Sequence, residues 1–185
     1  MISVKNLSFS YGDKVVFDNF CAGFSSGISC ITGPSGRGKT TLLRIIGGLE
    51  KNFQGEVKCP YSKIGYVFQE DRLLPKISAA ENVLAVMSER DIKKAVNWLE
   101  KLGLEEADTM ALPGNLSGGQ QRRIAIARCL AYEPDLILLD EPFKGLDPAL
   151  AEKVAKVIKE TGVPTIAVLH SKEEIDYLGG EVFSV

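Results

Sequence analysis

The sequence predicts an α/β fold: a mainly parallel sheet with an antiparallel β part at its N-terminus and a helical insertion in mid-chain. Three observations carry this. An apolar run at 27–32 feeds the glycine-rich loop Gly33-Pro34-Ser35-Gly36-Arg37-Gly38-Lys39-Thr40, which passes straight into a helical stretch, 40–46. A second apolar run, Leu136-Ile137-Leu138-Leu139, ends in the two carboxylates Asp140 and Glu141. Between about 76 and 132 the pattern is helical, whereas strand and helix patterns alternate on either side of it.

From the N-terminus, Ile2, Val4 and Leu7, then Val15, Val16 and Phe17, read as two short strands separated by the turn at Tyr11-Gly12-Asp13. The run 27–32 is the third strand, and Leu42, Leu43 and Ile46 form the apolar face of the helix after the loop. Val57 and the run 64–68 predict two further strands, the second ending at Gln69. Ser78-Ala79-Ala80-Glu81 is a capping box ahead of Val83 and Leu84. Ile92, Ala95, Val96, Leu99 and Leu102 fall on one helical face, with Trp98 at its edge on the rim of the core. Ser117-Gly118-Gly119-Gln120 is a second capping box, opening a helix that runs to about Ala131. A buried strand at 136–139 follows, then a helix at 148–160 with Val154, Val157 and Ile158 inward. A strand at 165–169, a short helix from Ser171 and a last strand near 181–185 complete the pattern. The organisation expected is a single domain over residues 1–185, with a helical subdomain at about 76–132 inserted in the α/β core.

Hydrophobic residues make up 45% of the chain and charged residues 25%, the balance of a globular protein with a substantial core. A net charge of −2 gives no electrostatic reason to bind nucleic acid or anionic lipid. The opening Met1-Ile2-Ser3-Val4-Lys5-Asn6 lacks the apolar core of a signal peptide. No apolar run approaches the roughly 18 residues that span a bilayer, so any membrane association is expected to go through another protein. Cys21, Cys30, Cys59 and Cys129 show no C-x-x-C spacing and no neighbouring His; they read as small buried hydrophobes in a reducing cytosol, not as zinc or redox ligands.

The glycine-rich loop fits the phosphate-binding pattern G-x-x-x-x-G-K-[ST]. Gly33, Gly36 and Gly38 let the backbone curl so that successive N–H groups face phosphate oxygens, and the following helix adds its positive end. Lys39 supplies a point charge for the β and γ phosphates, and the Thr40 hydroxyl is placed to ligate Mg²⁺. Asp140 and Glu141 emerge at the carboxyl end of a buried strand, where ligands bind in open α/β sheets. Asp140 suits a water-mediated Mg²⁺ partner, and Glu141, nearer the γ phosphate, suits the base that orients attacking water. Ser117, Gly118 and Gly119 shape a second anion-accepting helix N-terminus. One chain then holds two γ-phosphate sites, a difficulty removed if a second subunit presents one motif to the other.

With these motifs in this order, the chain resembles the nucleotide-binding subunit of ATP-binding cassette (ABC) transporters over essentially its full length. The resemblance implies a P-loop NTPase core binding ATP and Mg²⁺. It makes Gly33 to Thr41 the Walker A loop, including Pro34, Ser35, Arg37 and Thr41, with Tyr11 stacking on adenine. It makes Gln69 the Q-loop glutamine, binding Mg²⁺ or water and reporting to a membrane partner, and Leu116 to Gln120 the signature acting in trans. Leu136 to Glu141 becomes the Walker B strand, Asp147 a D-loop residue at the subunit interface, and His170 the switch histidine on the γ phosphate. Taken without the resemblance, Tyr11 reads as a turn aromatic, Gln69 as a solvated strand end, Asp147 as a helix N-cap and His170 as a structural histidine.

Phe68-Gln69-Glu70-Asp71-Arg72-Leu73-Leu74-Pro75, Ala80-Glu81-Asn82-Val83 and Glu141-Pro142-Phe143 further resemble bacterial importers of the nitrate, sulfonate and taurine type. Partners implied are a second nucleotide-binding subunit, which complete motifs permit to be a copy, a transmembrane permease and an extracytoplasmic substrate-binding protein, with no nucleic acid. The implied location is cytoplasmic, at the inner face of the cell membrane. With 15 residues after His170, no regulatory extension is expected, and Ser171 stands where the family commonly has Asp. Two other readings stand beside this one: a non-transport ABC ATPase acting on DNA or ribosomes, and a small-molecule phosphotransferase. Against the first, the interval between Walker A and signature carries no sustained heptads and there is no basic patch; against the second stands the signature itself.

Overall fold

The structure, a computed structural model, describes all 185 residues, Met1–Val185. Its elements in chain order are β1 (Ile2–Tyr11), β2 (Lys14–Phe24), β3 (Ile28–Thr32), α1 (Lys39–Ile46), β4 (Gln54–Lys58), β5 (Ile64–Val67), α2 (Ala79–Leu84), α3 (Ile92–Lys101), α4 (Glu106–Thr109), α5 (Gly118–Ala131), β6 (Leu136–Asp140), α6 (Pro148–Glu160), β7 (Thr165–Val168), α7 (Lys172–Leu178) and β8 (Glu181–Ser184). A single 3₁₀ turn, Pro113–Asn115, precedes α5.

Two sheets form. One has five strands in the order β5-β6-β7-β3-β8, every neighbouring pair parallel. The other has three, β2-β1-β4, antiparallel throughout. The central strands β6 and β7 are buried at every position, which is why the apolar run of β6 is continuous up to Asp140, whereas the edge strand β8 is largely exposed. Along β6, Leu136 and Leu138 point to a core shared with α1 and the antiparallel sheet, while Ile137 and Leu139 point to a second core made by the helices. Strand β7 repeats the division, with Ile166 and Val168 on the first side and Ala167 on the second. Helix α1 lies between the sheets, its Leu42, Leu43, Ile45 and Ile46 all in the first core.

Helices α2 to α5 occupy the chain between β5 and β6 and cover the second core. Both capping boxes form as the sequence predicts: Ser78 Oγ accepts from Glu81 N, and Ser117 Oγ from Gln120 N. Trp98 is partly buried at the rim of the second core.

Three expectations are corrected. The first two strands are long, not short: β1 and β2 hold 10 and 11 residues, because register shifts along the pair absorb its twist and carry pairing past the polar positions Asn6, Ser8 and Asn19. Ile92 at the start of α3 stays exposed, since only Ala95, Leu99 and Leu102 reach the core fully. Of the cysteines, Cys30 and Cys129 are buried, but Cys21 is exposed, on the outer strand of the antiparallel sheet.

Leu138 is fully buried at the meeting of both sheets and α1, so Leu138→Ala should lower unfolding free energy by about 2–5 kcal/mol. Urea denaturation with an unchanged slope checks this.

Candidate active site

Four parallel strands deliver the site. The phosphate loop follows β3, Gln69 follows β5, Glu141 follows β6 and His170 follows β7. All four segments meet in a cleft of about 340 Å³ lined by Tyr11, Ser35, Gly36, Gly38, Lys39, Thr40, Thr41, Gln69, Glu141 and His170, with Lys14, Val16 and Val168. Gly33, Pro34 and Arg37 do not line it, and Pro34 and Arg37 are exposed.

The loop is held from inside. Lys39 is only 6% exposed, and its Nζ donates to the carbonyls of Gly33 at 2.7 Å and Pro34 at 2.9 Å. Helix α1 begins at a left-handed Gly38 with no side-chain cap, so its first N–H groups are free for an anion. Gly38 has φ 91°, and a Cβ there would stand 2.5 Å from Val16 Cγ1 and 2.8 Å from Phe17 Cζ. Thr40 Oγ1 donates to Asp140 Oδ1 at 3.1 Å.

Asp140 is 1% exposed; burial raises its carboxyl above the usual range, partly opposed by the Thr40 hydrogen bond. Glu141 lies in the left-handed region at φ 53°, and its N–H still donates to Val168 O. Its Oε1 accepts from His170 Nε2 at 2.8 Å and Gln69 Nε2 at 3.3 Å, and Lys144 Nζ stands 3.7 Å from Oε2. Burial would raise the Glu141 carboxyl, but the His170 hydrogen bond, the nearby cations and the Gln69 amide together hold it below its ordinary value. With its nitrogen on Glu141, Gln69 leaves Oε1 free.

Thr40, Asp140 and Gln69 also line a smaller depression beside the cleft. Hydroxyl, carboxylate and amide oxygens are the hard donors that suit Mg²⁺. No group of three or more His, Cys, Asp or Glu side chains lies close enough to hold a metal ion by itself.

The signature occupies a different depression, lined by Gln69, Asp71, Ser117, Gly118, Gly119, Arg122, Lys144 and Gly145. Its only residue in common with the main cleft is Gln69. Ser117 N donates to Gln120 Oε1 at 2.8 Å and Ser117 Oγ accepts from Gln120 N, leaving the hydroxyl proton free. Asp147 caps α6, accepting from Leu150 N at 3.0 Å. Tyr11, 45% exposed, forms one wall of the main cleft and packs edge-on against Phe9.

Sequence reasoning passed over two groups. Lys144 stands between the main cleft and the signature depression. Arg122, 3% exposed, pairs with Asp71 at 3.2 Å and donates to the carbonyls of Phe68 and Gln69, both at 2.6 Å. A charged residue on a helix face that must be buried was the available signal for Arg122.

Residues 24–144 match the family model described as ABC transporter. The chain is 39% identical over 186 residues to the aliphatic sulfonates import ATP-binding protein SsuB 2 of Burkholderia cenocepacia (strain HI2424), a match covering 93% of this chain and 68% of the relative. It is 38% identical to the intermembrane phospholipid transport system ATP-binding protein MlaF of Haemophilus influenzae, covering 95% and 76%. The dimeric structure of MJ0796, a bacterial ABC transporter cassette, superposes with a TM-score of 0.91 at 32% identity, covering 100% of this chain and 94% of that one. A post-hydrolysis state of MJ0796 with ADP and Pi superposes with a TM-score of 0.87. The chain belongs to the ABC transporter family. It is an ATP-binding cassette that hydrolyses ATP, and the expected fold and family are borne out. No helix is long and apolar enough to cross a membrane.

Because Gly38 combines positive φ with contact to β2, Gly38→Ala should destabilise the fold by about 1–3 kcal/mol, read as a lower urea midpoint.

Proposed function

We propose that this cassette is the ATPase subunit of an importer, working as a pair of copies that sandwich two ATP molecules. The observation that carries this is the division of the phosphate-binding groups between two depressions: Lys39, Glu141 and His170 line one, Ser117 and Gly119 the other. Each ATP then lies between one copy's phosphate loop and the other's signature, with Asp147 at the same interface and Tyr11 against adenine.

The roles follow from the geometry. Lys39 and the N–H groups of Ser35 to Thr41 bind the β and γ phosphates. Thr40 and Asp140 would hold Mg²⁺ with Gln69 Oε1, and the ion, when bound, would neutralise phosphate charge. Glu141 orients the attacking water and accepts its proton. His170 Nε2 donates to Glu141 Oε1. When a γ phosphate takes that N–H, Glu141 loses a donor that holds its carboxyl down and its proton affinity rises, so its base strength increases when substrate is present. The MJ0796 dimers, and relatives of similar identity named for sulfonate import and for phospholipid transport, support a common motor whose cargo is chosen elsewhere. The remaining partners are a transmembrane permease and an extracytoplasmic substrate-binding protein, and the subunit sits on the cytoplasmic face of the membrane through the permease.

Glu141→Gln should keep ATP binding but slow hydrolysis by roughly 10²–10⁴, and should form a dimer on size exclusion with ATP and not with ADP. A wild-type rate removes Glu141 as the base. Ser117→Arg should leave ATP affinity of the dilute monomer within about twofold and block turnover, because the lost contact is to nucleotide on the other copy; loss of monomer affinity would place both motifs on one nucleotide.

A further inference from the structure

The segment 68–72 leaves β5 without a ladder partner: no residue in it makes a backbone–backbone hydrogen bond. Four of its carbonyls are taken instead by two arginines of α5. Arg122 donates to Phe68 O and Gln69 O, and Arg128 to Asp71 O and Arg72 O, each of the latter at 3.0 Å. Arg122 Nε also pairs with the Asp71 carboxylate. The stacking of Phe68 on Tyr66, and of the Arg72 guanidinium on Phe68 at 4.1 Å, stiffens the segment from its other side.

An arginine buried to this degree loses its hydration and must place its donors on fixed acceptors. Here those acceptors all lie in one loop. The loop is therefore attached to α5 more firmly than to the sheet from which it emerges. Ser117 caps the same helix five residues before Arg122, about 7–8 Å along the axis at 1.5 Å per residue. At the loop's other end, the Gln69 amide touches Glu141.

We propose that Arg122 is a positioning residue for hydrolysis, fixing Gln69 to the signature helix so that engagement of Ser117 by the second copy's nucleotide sets the place of Gln69 against this copy's own Glu141. This rests on the reading of Glu141 as base and of the signature as a contact in trans. A shift of α5 along its axis is passed to the Gln69 carbonyl through the guanidinium, and from the Gln69 backbone to its amide. The two nucleotide sites of a pair are thereby linked through one helix and one side chain.

The test is a double-mutant cycle on the full chain, with ATP turnover measured across ATP concentrations. Arg122→Met should lower kcat by about tenfold to 10²-fold with KM for ATP within about twofold, as a misplaced group near the chemistry does. Gln69→Ala should lower kcat similarly, and the double variant should be no slower than the slower single, since both break one linkage. Removing Arg122 leaves Asp71 without its cation, so Arg122→Met with Asp71→Asn is measured in parallel as the folded alternative, its unfolding midpoint monitored. Losses that multiply in the double variant, or a raised KM with unchanged kcat, overturn the proposal. If Glu141→Gln abolishes turnover while the Arg122 and Gln69 losses multiply, the linkage alone falls; if Glu141→Gln turns over at the wild-type rate, the reading beneath it falls instead.

Discussion

β3, β5, β6 and β7 run parallel, and their carboxyl ends lie along one edge of the sheet. This constraint assembles the site. The residues after those ends are Gly33, Phe68-Gln69, Glu141 and Leu169-His170, segments far apart in the chain that become neighbours only because the strands share direction and register. Register is fixed in turn by alternation. A slip of one residue in β6 would exchange Leu136 and Leu138 with Ile137 and Leu139 between two differently shaped cores. A slip that brought Leu139 to the place of Asp140 would leave the Thr40 hydroxyl facing an apolar side chain.

Glu141 shows the cost of that placement. A left-handed, non-glycine residue is strained by about 1–3 kcal/mol, and the surroundings must hold it there. The grip comes from both chain directions: its N–H continues the ladder to Val168, and its C=O accepts from Lys144 N in the turn that follows. The turn sends the chain away from the sheet while the carboxylate stays over the cleft. His170 and Gln69 then fix its rotamer.

Much of this was legible because the signals are local. A glycine-rich loop between a strand and a helix, a capping box within four residues, and an apolar run ending in carboxylates each reveal themselves in a short window. Ser78, Ser117 and Asp147 cap their helices where the sequence places them. What stayed hidden depends on contacts distant in sequence. The length of the first hairpin rests on bulges that absorb Asn6 and Asn19, both at positive φ, and no hydrophobic alternation signals those. The exposure of Cys21 depends on which strand lies at the edge of the antiparallel sheet. Arg122 has a strong sequence neighbour in the signature, yet its partners lie in 68–71, a pairing set by packing of α5 against β5 and not by spacing. Pro34 and Arg37 belong to the motif yet do not line the cleft, which the pattern of residue types alone does not reveal.

Lys39 has a thermodynamic consequence for nucleotide affinity. Its ammonium is already stripped of most water and rests on two carbonyls of its own loop before any ligand arrives. A phosphate meeting it exchanges partners rather than dehydrating a solvated cation. Most of the desolvation is thus completed during folding, and affinity draws on the fold's own stability. Changes that loosen the backbone at Gly33 or Pro34 should weaken nucleotide binding with no ligand contact removed, and the loss should appear mainly in the entropy of binding, as the loop must then be ordered by the ligand.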